Sequence, residues 1–383
     1  MTATAPIGAA GLIGMLGRRP RLLALGEPTH GEDVLLELRN DLFRELVETE
    51  GYRRIAIESD CLLGLVVDAY VTTGRGDLDD VMARGFSHGF GESAANRDLV
   101  RWMRAHNAGR PEAEQVRFAG FDGPLEMSGA ASPRPALTAL HAGLGPGLVP
   151  CTVAELDELL GDDERWTNPD AMMDPSRSIG RGAEARRLRL IADDLAGLLE
   201  AHAPEAGDLD LLRLYARTAV GLLRYHAGLA DPSPQRLGRL CAQRDAMMAA
   251  NLLALAAHAP TLVHAHNAHL QRDKSAMRMG GTELQWWSAG AIAATDLRDG
   301  YAFVATGLGT IRHHGVDEPP PDTIEGMLYA GPEQRFLVDL RHAGDGLAAA
   351  APRVSPWFGY APLAPAHVRN YDGIAFIKES PPR

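Results

Sequence analysis

Arg21-Leu22-Leu23-Ala24-Leu25-Gly26-Glu27-Pro28-Thr29-His30-Gly31-Glu32 passes from an apolar run to a charged, glycine-bracketed turn. Short apolar runs bounded by turn residues read as strands buried on both faces of a parallel sheet. Over Glu32–Glu50, Leu35, Leu38, Leu42 and Leu46 recur at helical spacing, and Gly51 closes the stretch. Arg54-Ile55-Ala56-Ile57 is a second apolar run, and it ends in Glu58. Residues 21–59 therefore read as a strand–helix–strand unit whose crossover is expected to be right-handed.

Two further runs share this form. Val116–Phe121 ends in Asp122, and Thr261–Ala265 ends in His266, with His269 just beyond. Open α/β sheets bind ligands beyond the carboxyl ends of their strands. If these four strands are neighbours, Glu27, Glu58, Asp122 and the histidine pair converge on one crevice. Such a group suits proton transfer or metal-assisted chemistry better than a packed core.

The expected fold class is α/β, a mostly parallel sheet flanked by helices on both faces, with a helical insertion covering the cleft. Further helices are expected over Cys61–Tyr70, Leu78–Arg84, Asn96–Asn107 and Gln235–His258. Residues 129–150, rich in Gly, Ala and Pro, read as a connecting loop. Thr152–His202 and Leu209–Ala230 are helical in pattern, and this middle third lacks clear strand signals. Strands return at Tyr301–Thr306, Phe336–Leu340 and Gly373–Ile377, while Gly344–Ala351 reads as surface loop. The domain reading is a core in two parts, residues 1–128 and 236–383, interrupted by a helical insertion at 129–235.

Bulk composition narrows the class. The chain has 383 residues, 45% of them hydrophobic and 23% charged, ordinary values for a soluble globular protein. A net charge of −12 disfavours nucleic-acid binding. No run approaches the length of a membrane span, so no membrane partner is expected. The apolar stretch Ile7–Leu16 is followed, not preceded, by arginines, the reverse of a secretory signal. Cys61, Cys151 and Cys241 are far apart and odd in number, which argues against a disulfide framework and for a cytoplasmic location.

Glu27 beside His30 can orient the imidazole and raise its basicity, making His30 a candidate general base. Arg39 is a helix residue off the leucine stripe, able to hold a carboxylate or an oxyanion. Glu58 ends an apolar strand, where a carboxylate needs a partner. Asp60 reads as a helix cap, and Asp122 as either a turn residue or a member of the site. His264 and His266 share one face of their strand, and His269 follows. Several His with two Glu could also hold zinc. No zinc signature spacing is present, so the first reading is an acid/base site with no metal and no cofactor. Gly85-Phe86-Ser87-His88-Gly89 fits the pattern of a nucleophile elbow, but a helix precedes it where the elbow needs a strand. Cys61 is more readily a small buried hydrophobe than a nucleophile.

Together these motifs resemble the erythromycin esterase family. The resemblance is carried by Gly26-Glu27-Pro28-Thr29-His30-Gly31, Arg39 nine residues after the histidine, and Ile57-Glu58. It continues in Arg244-Asp245, Met248, Asn251, His266-Asn267-Ala268-His269, Phe336–Arg341 and Tyr371–Phe376. The resemblance implies an α/β core and hydrolysis of a macrolide lactone without an essential metal. It implies that His30 activates a water, that Glu27 and Glu58 tune it, and that Arg39 with His266 or His269 binds substrate or the developing oxyanion. On this reading Glu27, His30, Glu58 and His266 are catalytic. Arg39, Asp122, Arg244 and His269 bind the substrate, a small-molecule or peptide natural product. Three other readings keep the same residues: a tailoring enzyme that dehydrates or forms an ester or amide, a metal-dependent hydrolase, and a non-catalytic ligand-binding protein.

Overall fold

The computed structural model describes residues 4–126, 129–145, 148–279 and 281–381. The first elements are β1 (Thr4–Ala5), α1 (Ala9–Leu16), β2 (Leu22–Glu27), α2 (Asp33–Thr49), β3 (Arg54–Asp60), α3 (Gly64–Thr73), α4 (Leu78–Arg84), α5 (Ala94–Asn107) and β4 (Arg117–Asp122). The middle of the chain holds β5 (Leu125–Glu126), β6 (Gly129–Ala130), α6 (Arg134–Leu144), α7 (Val153–Leu160), α8 (Ala183–Ala201), α9 (Leu209–Leu229) and α10 (Arg236–His258). Then come β7 (Thr261–His266), α11 (Asn267–Leu270), β8 (Lys274–Met279), β9 (Thr282–Trp287), α12 (Ala289–Leu297), β10 (Tyr301–Thr310), α13 (Ile324–Tyr329), β11 (Arg335–Val338), α14 (Leu340–Ala348) and β12 (Gly373–Glu379). These elements fall into two compact units. One is Met1–Phe121 with Leu252–Ala276 and Trp287–Arg383; the other is Asp122–Asn251 with Met277–Trp286.

The first unit is built on an eight-stranded sheet of order β1-β11-β12-β10-β2-β7-β3-β4, mostly parallel and flanked by helices. The antiparallel pairs are β1 with β11 and β11 with β12. All six residues of β2 and all ten of β10 are buried, as their unbroken apolar runs require of strands covered on both faces. Register fixes what meets at the carboxyl ends: β7 lies between β2 and β3, Glu27 pairs with His266, and Ile57 with His264. Glu58 follows Ile57, so two glutamates flank the histidine strand. Two faces of α2 are buried. Leu42, Phe43 and Leu46 pack in one cluster with Leu23, Leu25, Ile55 and Ile57. Leu35 and Leu38 pack in another with Leu308, Ile311 and Ile377.

The second unit holds the helices α6 to α9, with Leu222, Tyr225 and Leu229 of α9 packed against Leu125 and Ala130 of the paired strands β5 and β6.

Three expectations are corrected. Residues 129–150 are not a plain loop: Arg134–Leu144 is a helix, because Ala136, Leu137, Leu140 and Leu144 line one buried stripe. Its proline at position 135 lies in the first turn, where no intrahelical N–H is needed. Gly344–Ala351 is likewise mostly α14, capped by the Asp339 side chain and anchored by buried Ala343 and Leu347. The strand expected to reach Leu340 therefore stops at Val338. The pair β8–β9, with its alternating burial, was not anticipated at all.

Candidate active site

The turn after β2 places the site. Gly31 takes a left-handed conformation (φ 83°), which permits the sharp exit into α2. Gly26 is constrained differently. A Cβ there would lie 2.1 Å from Asn267 Oδ1, so the close approach of α11 needs glycine. Asn267 in turn bonds both backbone groups of Thr306, donating to its carbonyl at 2.8 Å and accepting its N–H at 3.2 Å. These contacts lock β2, α11 and β10 together beneath the turn.

Glu27 is buried and serves two imidazoles. His30 Nδ1 donates to its Oε1 at 2.7 Å, and His264 Nε2 faces its Oε2 at 3.1 Å. Burial alone would raise the carboxyl's pKa. The charges and hydrogen bonds of His264 and His30 outweigh it and hold Glu27 well below the usual carboxylate range. The other ring nitrogen of His30, Nε2, lies on the side of Glu58, 3.9 Å from its Oε1. The His30 side chain is 42% exposed, so part of the ring is open to solvent.

Glu58, also buried, accepts the backbone N–H of His266 at 2.8 Å and faces His269 Nε2 at 3.3 Å. His266 itself is pinned. Its Nδ1 accepts the N–H of Ala268 and its Nε2 donates to Pro28 O at 3.3 Å. Burial lowers its pKa to about 4, with the charge of His30 acting in the same direction, so the ring is neutral at neutral pH. His266 thus anchors the Glu27–His30 turn through Pro28, and the ring that reaches Glu58 is that of His269.

Arg39 is fully buried in α2. Its Nε and Nη2 donate to Asn40 Oδ1 and its Nη2 also to Asn96 Oδ1 at 2.8 Å. Burial pulls its pKa down to about 10, opposed by the charge of Glu27, so it stays a cation at neutral pH. Nη1 has no hydrogen-bond partner among the described residues. Arg39, Glu27, His30, Glu58 and His264 line one cavity of about 180 Å³. His88, Gly89, Phe90, Glu92, Ser93 and Asn96 also line it, with the Phe90 ring 5.5 Å from that of His30.

Of the residues singled out in the sequence, Glu27, His30, Arg39, Glu58, His266 and His269 are brought together. Asp122 and Arg244 belong to the second unit and hold each other. The guanidinium of Arg244 straddles the Asp122 carboxylate, with Nε at 3.0 and 3.2 Å and Nη2 at 2.6 Å. Asp60 is not the cap of α3, whose N-cap residue is Leu63; its Oδ1 accepts the N–H groups of Leu62 and Leu63 in the turn between β3 and that helix. Ser87 follows α4 and is tied to Ser59 Oγ at 3.2 Å and to the N–H of Asp60 at 2.9 Å, which is a strap between segments. Sequence reading missed His264 as the second partner of Glu27, although its shared strand face with His266 was the available signal. It also missed Asn40 and Asn96 as the cradle of Arg39, for which the sequence offers no local signal.

Fold and site define an α/β protein with a carboxylate–imidazole pair in an open pocket at the carboxyl edge of its sheet. The profile described as erythromycin esterase matches residues 47–380, and the chain belongs to that family. Three solved structures share the fold. A Bacillus cereus protein is 19% identical over 96% of this chain and 90% of its own, with a TM-score of 0.72. A succinoglycan biosynthesis protein is 17% identical over 96% and 90%, TM-score 0.70. A mutant of the erythromycin esterase EreC in its open conformation is 17% identical over 96% and 92%, TM-score 0.63.

Proposed function

We propose that the chain hydrolyses an ester or lactone of a small natural product, with His30 as general base toward water. The observation that carries this reading is the 2.7 Å pair between Glu27 Oε1 and His30 Nδ1, at the wall of an open cavity that His30 lines. Glu27 fixes the tautomer and stabilises the imidazolium formed when Nε2 takes the water proton. The hydroxide attacks the ester carbon, and negative charge collects on the former carbonyl oxygen. Arg39, with Nη1 uncommitted, is the cation available to that oxygen. His30 then returns its proton to the leaving alcohol oxygen. Glu58, held by His269 and the His266 backbone, stands on the far side of His30 and steadies its charged form.

Family membership and the matching order of the motifs favour a macrolide lactone as the first substrate to test. Incubation with a fourteen-membered macrolide should yield a product heavier by one water. A product lighter by one water would assign the site to dehydration instead. No turnover across a panel of macrolides, simple lactones and ester-bearing peptides would overturn the hydrolase reading.

A further inference from the structure

A second group of chemistry-bearing side chains lies outside the proposed catalytic residues. Glu32 caps the start of α2, two residues beyond His30. His313 and His314 belong to the one-turn helix Arg312–His314 that follows β10. Nε2 of His313 lies 3.1 Å and Nε2 of His314 3.6 Å from the same oxygen, Glu32 Oε1. The three ligand atoms all fall within 4.8 Å of one another.

Four features favour a cation at this place. Glu32 is 5% exposed, a burial that a carboxylate takes up only with strong partners. Its other oxygen is committed to the Ser380 hydroxyl, which fixes the direction in which Oε1 points. The ring of His314 is stacked on Trp357, with centroids 3.8 Å apart and planes 12° from parallel, so its nitrogen is aimed by packing. The neighbouring cation, Arg312, is turned away into contacts with Asp317 and Glu318 at 3.6 and 3.3 Å. Among the described residues, the ion-pair partners of Oε1 are the two imidazoles.

We propose that Glu32, His313 and His314 form a binding site for a divalent metal ion of the zinc class. Two imidazoles and one carboxylate are the donor set that zinc takes in three-ligand sites, with water at the fourth position. Tetrahedral bonds of about 2.0–2.1 Å put ligand atoms roughly 3.3 Å apart, and the separations of 3.1 and 3.6 Å bracket that value. Both histidine side chains keep solvent access, 24% and 39% exposed, which leaves room for the ion to enter and for its water. Bound there, the ion would clamp the turn that carries His30 to the segment after β10. Its role is to hold that turn, and the proposal does not depend on the reading of His30 as a base.

The test uses zinc alone and needs no substrate. Protein stripped by chelator is dialysed against micromolar zinc and its metal content counted. The expected result is one zinc per chain, and a higher melting temperature with zinc than without. The doubly substituted His313→Gln, His314→Gln protein, altered only on a partly exposed turn, should bind at least about tenfold more weakly and lose the zinc-dependent shift. His30→Ala should still take up one zinc. No uptake at micromolar zinc would overturn the site, as would full binding by the double variant. Binding abolished by His30→Ala but kept by the double variant would also overturn it, by placing the metal on the His30 side instead.

Discussion

At the scale of single residues, the Glu27–His30 pair and Arg39 separate two kinds of contribution. His30 is partly exposed and bears no packing load comparable to a core residue, so His30→Ala should leave the circular dichroism unchanged. It should cost roughly 10²–10⁴-fold in kcat/KM, the usual worth of a general base. Activity surviving that substitution would remove His30 from the chemistry. Arg39 is different, because its cradle also holds α2 to α5, through Asn40 Nδ2 donating to Ala95 O and Arg39 Nη2 donating to Asn96 Oδ1, while Asn96 Nδ2 donates to Phe90 O in the segment before α5. Arg39→Lys keeps a cation but cannot bridge both asparagines in a fixed fork. The expected outcome is a loss of roughly 10²–10³-fold in kcat with a lesser effect on KM, as for loss of an oxyanion donor. A pure rise in KM would mean that Arg39 binds ground-state substrate only.

At the scale of elements, glycine contacts set how closely the strands that carry the site can approach. A Cβ on Gly120 in β4 would lie 2.3 Å from Asp60 O and 2.6 Å from Ser59 O, both backbone atoms that no rotamer change can move. A Cβ on Gly64, at the start of α3, would lie 2.5 Å from the N of Gly120. Gly120→Ala must therefore push apart the end of β3, which carries Glu58. The expected cost is roughly 1–3 kcal/mol or more, the range for overpacking, accompanied by reduced turnover. Thermal denaturation checks it, and an unchanged melting temperature would show that the two strands separate freely. The same elements show what was legible beforehand. Each of β2, β3, β4 and β7 announced itself as an apolar run ending in a titratable residue, because a strand covered on both faces has no polar alternation to blur it. Helices α6 and α14 were hidden because glycine and proline outweigh a stripe of only a few apolar residues when each segment is read alone. Contacts made across the fold left no trace in sequence. Arg39 meets Asn96, and Glu32 meets His313, only because the sheet order brings distant segments to one edge.

At the scale of the whole molecule, the pH dependence of stability follows from buried imidazoles in each unit. His226 of α9 is 1% exposed, donates Nε2–H to Ala131 O at 2.9 Å and packs edge-on to Trp166 at 4.9 Å. Burial lowers its pKa to about 4, with the Ala131 contact only partly opposing this. Its ordinary value is 6.5, so between about 6.5 and 4 the unfolded chain takes up a proton that the folded chain refuses. Stability from this residue is therefore complete above 6.5, falls as pH drops to about 4, and is constant below. At about 1.4 kcal/mol per pKa unit the loss is of order 3 kcal/mol. His266 in the first unit, also held near 4, acts in the same direction. Glu27, depressed by its histidines, adds a further loss only as the pH falls below its ordinary value of 4.5. Hydrogen exchange at pH 7 and pH 5 should accordingly show reduced protection in both units at the lower pH. His226→Gln, which removes the titrating group, should flatten that change for the amides of α6 and α9 while leaving β2, β3 and β7 pH-sensitive. An identical pH response of α6 and α9 in the variant would show that His226 is not the group that sets the acid stability of its unit.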